Sequence, residues 1–467
     1  MSTPPTEDVS ATRARLLQAF WSRRGIDDQL AHASVNCLQR SWPKTVNELV
    51  MDELLAEALQ GFPVFPVWFE RAMTTTRRQF LFKDYGGLTS RALSHIAIQC
   101  HLNEYAWTED AEETARVDQW AARLTELTPD QVMAVACYRP LASLAGSDEL
   151  LKKGWIGPVA DVLREQISVV REERQIAAAM PALGTIRDEI SQKVQAQYEV
   201  NPYPRWRRPA GFPPYANIFG RALPAEFDLL IAGCGTGRHA IDAALTLPGA
   251  RTLAIDLSRT SLAYAVRKTQ ELGLQDRITY AHADILELAE SERTFFMVQS
   301  VGVLHHMSDP FEGARAVSRM VKPGGLLALG LYSARAREHL NPAKALGRNY
   351  TAETVREFRY AITSAPEDDP VHKYIVQSRD FYASSGCRDL LMHVNEHQHT
   401  IADIQRILDE NDLEFLGFNQ FEQFKEVYRS MFPHDPNGKD LNCWDKFEEA
   451  HPRAFGRMYQ FWTAKRA

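Results

Sequence analysis

The stretch Asp228-Leu-Leu-Ile-Ala-Gly233-Cys234-Gly235-Thr236-Gly237-Arg238-His239 runs an apolar segment straight into three glycines at alternate positions. Glycine at such a turn lets the backbone take an unusual φ and approach a ligand with no Cβ in the way. The spacing is GxGxG. Arg238 stands where a dinucleotide fold would place its third glycine, and no Gly-Lys-Ser/Thr follows, so this is not a phosphate-binding P-loop. Asp256 lies nineteen residues past Gly237, just after Thr252-Leu-Ala-Ile255. A carboxylate at the end of a second strand can accept both hydroxyls of a ribose. Asp284 follows a third segment, Ala281-His-Ala-Asp284.

Three further groups have chemical potential. His305 and His306 end a fourth apolar segment, as a base or acceptor-orienting pair or as packing. His393, His397 and His399 cluster with Glu396. HxxxH on a helix would put two imidazoles on one face, which is metal-ligand spacing. Thr400 begins the next helix, so substrate contact by a lid or a satisfied polar cluster are the other readings, and no metal is assigned. Finally, Tyr198-Glu-Val-Asn201-Pro202-Tyr203-Pro204-Arg205-Trp206 combines aromatics, a guanidinium and prolines. It reads as a domain clasp or as a cover over a ligand; Arg205 to Arg208 alone are weak grounds for nucleic acid.

These residues need elements to hold them. Residues 14–185 carry helical spacing and almost no strand signal, with no fixed repeat period. Leu16, Leu17 and Phe20 recur near helical intervals, and Thr128-Pro129-Asp130 places a cap before a first-turn proline. Residues 186–225 form a connector. A helix is expected over Ile186 to Glu199, then Pro202, Pro204, Pro209, Pro213, Pro214 and Pro224 forbid regular structure. From 226 to 467 strands and helices alternate, which calls for right-handed crossovers and a doubly wound, mostly parallel α/β sheet. Strands are expected at Phe227 to Ala232, Arg251 to Ile255, Ile278 to His282, Thr294 to Leu304, Gly325 to Leu331, Leu413 to Phe418 and Met458 to Thr463. Ser258 reads as an N-cap and Gly273 as a helix-ending residue. Residues 332–400 interrupt the alternation. They leave from the end of a strand that points at the ligand edge, so a lid is expected, with Tyr382, Arg388, His393 and His397 facing substrate.

Composition narrows the field. The chain has 467 residues, 45% hydrophobic and 24% charged, with net charge −7. That is ordinary globular composition without the basic bias of a nucleic-acid binder. No apolar run is long enough to span a bilayer. Residues 1–13, rich in Ser, Thr and Pro, read as a disordered leader without the apolar core of a secretory signal. Six dispersed cysteines without a CxxC fit a reduced, cytoplasmic protein.

Five motifs then occur in order: Gly-Cys-Gly-Thr-Gly, Ala-Ile-Asp256-Leu-Ser, Ala-Asp284-Ile, Gly302-Val-Leu-His305-His306-Met-Ser-Asp309-Pro310, and Val321-Lys-Pro-Gly324-Gly325. This set resembles the class I (Rossmann-like) S-adenosylmethionine-dependent methyltransferases and covers residues 226–335. The resemblance implies a seven-stranded sheet, which here follows the separate all-helical N-terminal domain read from the spacing of residues 14–185. It implies S-adenosyl-L-methionine as cofactor, with Gly233, Gly235 and Gly237 around its methionine part, Asp256 on the ribose and Asp284 near the adenine amino group. Cys234, Thr236, Leu257 and Ile285 complete the expected shell. One departure is Ile231, where many members carry an acid two positions before the first glycine.

Methyl transfer from a sulfonium is an in-line displacement with a neutral leaving group, so it demands alignment and dryness more than acid catalysis. A base is needed only if the acceptor must lose a proton. His305, His306 and Tyr203 are the catalytic candidates. Tyr198 and Arg205 are placed on the cofactor and Trp206 on the substrate, as parts of a strip whose aromatic faces can also attract a cationic sulfonium. The acceptor is a small molecule or a protein or peptide, with no membrane partner. The alternative is a non-catalytic S-adenosylmethionine- or S-adenosylhomocysteine-binding protein whose helical domain recognises a partner.

Overall fold

The computed structural model describes residues 8–466 apart from 23–25, 84–89, 210–213, 215–216, 352 and 457. Residues 1–7 of the expected leader and Pro213 lie outside the described residues. The chain divides into two compact units.

The first unit comprises Met1–Gln175, Pro204–Gly211 and Ala343–Met392, and its described elements are helical. Its first helix is Val9–Ser22, so residues 9–13 are not a disordered leader. Asp8 accepts from the Ser10 amide, and Arg13 reaches the Ser41 hydroxyl (2.8 Å) and the Asp52 carboxylate. Leu16 and Phe20, one turn apart, are buried. The helix Pro129–Ala136 begins on a complete capping box between Thr128 and Gln131, with Pro129 in its first turn.

The second unit comprises Ile176–Tyr203, Phe212–Pro342 and His393–Ala467. It contains a seven-stranded sheet: β1 (Phe227–Ala232), β2 (Ala250–Asp256), β3 (Ile278–His282), β4 (Phe295–Val301), β5 (Val321–Tyr332), β6 (Leu413–Phe418) and β7 (Met458–Lys465). The order is β3-β2-β1-β4-β5-β7-β6. β1 to β5 are parallel, and β7 runs antiparallel to both β5 and β6. Strand order reverses at β1, so its carboxyl end opens the crevice where such sheets bind ligands. Leu229 to Ala232 are fully buried, as a central parallel strand requires. β5 starts earlier than the apolar run indicated, because Val321 pairs with Phe295 across a bulge before Leu326 joins Met297.

The units cut across the boundaries expected from sequence. Residues 176–185, expected in the helical domain, belong to the sheet unit, and the proline-rich connector is divided between Tyr203 and Pro204. The 332–400 insertion is divided too. Residues 343–392 fold with the helices, which corrects the expectation of one lid-like appendage of the sheet domain. The reason is a buried ion pair: Arg359 places Nη2 2.6 Å from Glu70 Oε2, and its side chain is 1% exposed. Arg359 Nε also donates to the Phe381 carbonyl. Breaking one side of a buried pair strands the other charge, at a cost of about 3–5 kcal/mol. Glu70→Ala should therefore lower thermal stability strongly. An unchanged melting temperature would refute this account of how residues 343–392 are held.

Candidate functional site

The glycine loop is held from below by β2. The amides of Gly233 and Cys234 both donate to the Ile255 carbonyl at 2.9 Å, and the Gly237 amide closes the turn on the Cys234 carbonyl. Gly237, at φ +80°, starts the helix Arg238–Thr246, and a Cβ there would collide with Ala265. Gly235, at φ +52°, has a different neighbour: a Cβ would lie 2.7 Å from the carbonyl oxygen of Tyr203. The Thr236 amide also donates to that carbonyl. The connector thus lies directly on the loop.

Asp256 ends β2 and ties the loop to the next helix. Its Oδ2 accepts from the Gly235 amide at 2.7 Å and its Oδ1 from the Ser258 amide at 2.9 Å. Burial pushes its carboxyl up from the ordinary value, neighbouring Glu199 adds to the push, and the amides of Ser258, Gly235 and Leu257 pull it back only in part. Ser258 then caps the helix Arg259–Glu271 through the Ser261 amide. Asp284, 3% exposed, caps Ile285–Ala289 through the Leu286 amide.

The chain before the sheet crosses these strand ends. Residues around Ala182 form a short parallel bridge with His282, the last residue of β3. The helix Glu189–Val200 then ends beside β2, where Glu199 accepts from the amides of Arg259 (2.7 Å) and Thr260 (3.0 Å) and from the Thr260 hydroxyl. These are amides that a helix start leaves without intrahelical partners.

Beyond β4 and β5 the histidines form a stack. His305 lies against Tyr332, the last residue of β5, with ring centroids 3.6 Å apart, and Arg337 sits 3.6 Å above the same tyrosine. Arg337 makes a two-point ion pair with Glu396. His306 stacks on His393 at 3.5 Å. Asn395 fixes both rings. Its carbonyl lies 2.8 Å from His306 Nδ1, which must therefore carry a proton, leaving Nε2 as the acceptor nitrogen of the neutral ring. Its amide donates to His393 Nδ1 at 3.1 Å, so the neutral His393 ring carries its proton on Nε2, 3.2 Å from the Tyr198 hydroxyl.

Comparison with known proteins decides what this edge belongs to. Residues 229–325 match a family model described as "Methyltransferase domain". A 27-O-demethylrifamycin SV methyltransferase of Amycolatopsis mediterranei is 34% identical over 135 residues, 29% of this chain and 47% of that one. Residues 229–325 of the sheet unit thus carry the pattern of a methyltransferase domain.

An uncharacterised Synechococcus protein is similar over a longer stretch, 26% identical over 299 residues, or 58% of this chain and 69% of that one. The structure of PKMT2 from Rickettsia typhi in complex with AdoHcy aligns with a TM-score of 0.39 at 15% identity, over 55% of this chain and 51% of that one. The chain spans about half of the rifamycin enzyme and 58% of a ubiquinone biosynthesis O-methyltransferase of Pseudomonas putida.

Within the methyltransferase domain the structure brings together Gly233, Cys234, Gly235, Thr236, Gly237, Asp256, Leu257 and the connector carbonyl of Tyr203, and separately His305, His306, His393 and Tyr198. His397 contributes its amide to the His305 carbonyl. The HxxxH expectation is corrected: the preceding helix ends at Leu391, and 393–398 is irregular, so no helix face carries His393 and His397 together. Four expected residues, Arg205, Trp206, Tyr382 and Arg388, fold with the helical unit instead. Arg205 pairs with Glu104 and Tyr382 is fully buried, its hydroxyl donating to the Val376 carbonyl, so as an acceptor contact Tyr382 is withdrawn. Arg388 is half-buried on the helix Ser384–Leu391. Trp206 is buried, and Arg207 and Arg208 pair with Glu165 and Glu57, which neutralises the arginine cluster.

Sequence reasoning missed Glu199, Tyr332, Arg337, Asn395 and Glu396 as organisers. Glu199 had one local signal, its place beside Tyr198 in the strip. Glu199→Ala should destabilise the domain by about 1–3 kcal/mol, the cost of leaving donors unsatisfied. Hydrogen exchange at Arg259 and Thr260 should quicken in the same variant. Unchanged exchange would contradict the capping role.

Proposed function

We propose that the chain transfers a methyl group from S-adenosylmethionine to an acceptor bound at the carboxyl edge of β4 and β5. One observation carries the reading: the glycine loop, Asp256 and the connector form one hydrogen-bonded assembly at the point where strand order reverses. The residues fit the cofactor. The Asp256 carboxylate accepts from the Gly235 and Ser258 amides and is also held by the Leu257 amide, whereas an ionised carboxylate offers about four acceptor positions in all, so it retains some capacity for a ribose hydroxyl. Gly233, Cys234, Gly235, Thr236 and Gly237 would hold the methionine part, with Leu257, Asp284 and Ile285 toward the base. When bound, the cofactor supplies an electrophilic methyl group whose departure leaves a neutral thioether.

The chain's own task is then to orient and to exclude water. Tyr203, resting on the loop, covers it. His306 has the tautomer of a base, with Nδ1–H fixed on the Asn395 carbonyl and Nε2 as the proton-accepting atom. Tyr198 receives a proton-donating contact from His393, which directs its own O–H elsewhere. His305 has a different part. Burial, then neighbouring His306 and Arg337, hold it well below the usual imidazole value, and neither ring nitrogen has a hydrogen-bond partner among the described residues. A neutral, stacked ring of this kind supports a packing role for His305.

The relatives favour a small-molecule acceptor over a protein or peptide. The named ones act in rifamycin and ubiquinone biosynthesis by their names, and the arginine cluster is already paired. No described helix is long and apolar enough to cross a membrane. Incubation of the protein with methyl-labelled cofactor in cell extract, followed by separation of metabolites from protein, should place label in the metabolite fraction. Label in protein would move the acceptor class. Cofactor binding without label anywhere would establish the non-catalytic binding protein.

Asp256→Ala should weaken cofactor binding by about 1.5–3 kcal/mol, the scale of hydrogen bonds to a charged group. The carboxylate accepts fully only when ionised. Because burial raises its pKa, wild-type affinity should fall as pH drops through a value above that of an ordinary aspartate. Titration calorimetry of the two proteins across pH checks both statements, and the variant should lose the pH dependence.

A further inference from the structure

The segment that follows the helix Glu422–Met431 holds a cluster unrelated to the cofactor edge. Asp435 fixes this loop: its Oδ1 accepts from the Lys439 amide, and its Oδ2 from the Asp440 amide and the Tyr428 hydroxyl. Trp444 Nε1 donates to the Gly438 carbonyl at 3.0 Å, and Lys439 Nζ to that of Leu416 at 2.7 Å. Asp440 caps the helix Leu441–Ala450, its Oδ1 accepting from the Asn442 amide. None of these bonds uses the three atoms that converge beside them. Cys443 Sγ lies 3.4 Å from His434 Nε2 and 3.5 Å from Asp440 Oδ2, and all three donor atoms lie within 4.8 Å of one another.

We propose that His434, Asp440 and Cys443 bind one soft-to-borderline divalent cation, Zn²⁺ in the first place, with the fourth position open to water. The proposal is independent of the methyltransferase reading. Thiolate, imidazole and carboxylate together are a zinc donor set and a poor one for Mg²⁺ or Ca²⁺. With Zn–S near 2.3 Å and Zn–N or Zn–O near 2.0–2.1 Å, tetrahedral ligands stand about 3.5 Å apart, the spacing that the sulfur keeps to both partners. Cys443 is 5% exposed, anchored against the core, whereas His434 and Asp440 are exposed, so an ion has access from solvent. A thiolate and a carboxylate supply two negative charges against the two positive charges of the ion, and binding releases the thiol proton. Without a metal, one S–H cannot serve both partners, and His434 must turn its own N–H to the sulfur. Bound metal would staple the loop 432–440 to the helix Leu441–Ala450.

Co²⁺ titration of the full-length, chelator-treated protein tests this. A thiolate-to-cobalt charge-transfer band should saturate at one equivalent and bleach on addition of Zn²⁺. Cys443→Ser should abolish the band. His434→Ala, at an exposed position, should weaken Co²⁺ binding at least about tenfold. Absence of the band in the wild type, a band that survives Cys443→Ser, or undiminished binding in His434→Ala would each overturn the proposal in favour of a plain hydrogen-bonded cluster.

Discussion

A carboxylate that grips two turns at once is the constraint on which the cofactor edge depends. Asp256 holds the Gly235 amide with one oxygen and the Ser258 amide with the other. The glycine loop after β1 and the helix start after β2 are thereby locked to each other. Because Gly235 has no side chain, the connector can then approach until the Tyr203 carbonyl stands where a Cβ would be. Glu199 repeats the device one residue further on, gripping the amides of Arg259 and Thr260. Two acids and one missing Cβ therefore assemble three chain segments that no hydrophobic contact would align so closely. The cost is a carboxyl group kept from full hydration, visible in the upward push on Asp256.

A second assembly lies beyond β4 and β5, and its logic is aromatic. Tyr332 is flanked by His305 and the Arg337 guanidinium, and Glu396 balances that charge. Cation and ring attract more strongly where water is displaced, and buried Arg337 needs its carboxylate partner. The stack leaves His306 and His393 oriented by one residue, Asn395, through its amide and its carbonyl. Rings fixed in tautomer and plane are a precondition for handling a proton at a stated atom.

The local signals in the sequence survived folding. Asp228 to Gly237 became a buried strand and a left-handed turn because each residue there answers to its immediate neighbours. Ser258 and Thr128 act as caps, and Pro129 opens its helix, for the same reason. What depended on distant partners was not legible. Arg359 meets Glu70 across 289 positions, so residues 343–392 looked like an appendage of the strand before them rather than part of the helical unit. Tyr382 looked like a substrate contact because an aromatic in an insertion carries no mark of burial. Arg337 and Glu396, 59 positions apart, gave no periodic signal. The HxxxH spacing misled for the opposite reason: the helix needed to make it meaningful stops at Leu391.

The most direct test is hydrogen exchange of the full-length protein with and without saturating S-adenosylhomocysteine. If cofactor binds at the assembly organised by Asp256, three separate segments should gain protection together: 198–203, 233–237 and 256–260. Protection confined to 233–237 and 256–260, with 198–203 unchanged, would contradict the claim that the connector completes the site, and no protection in any of them would contradict the site itself.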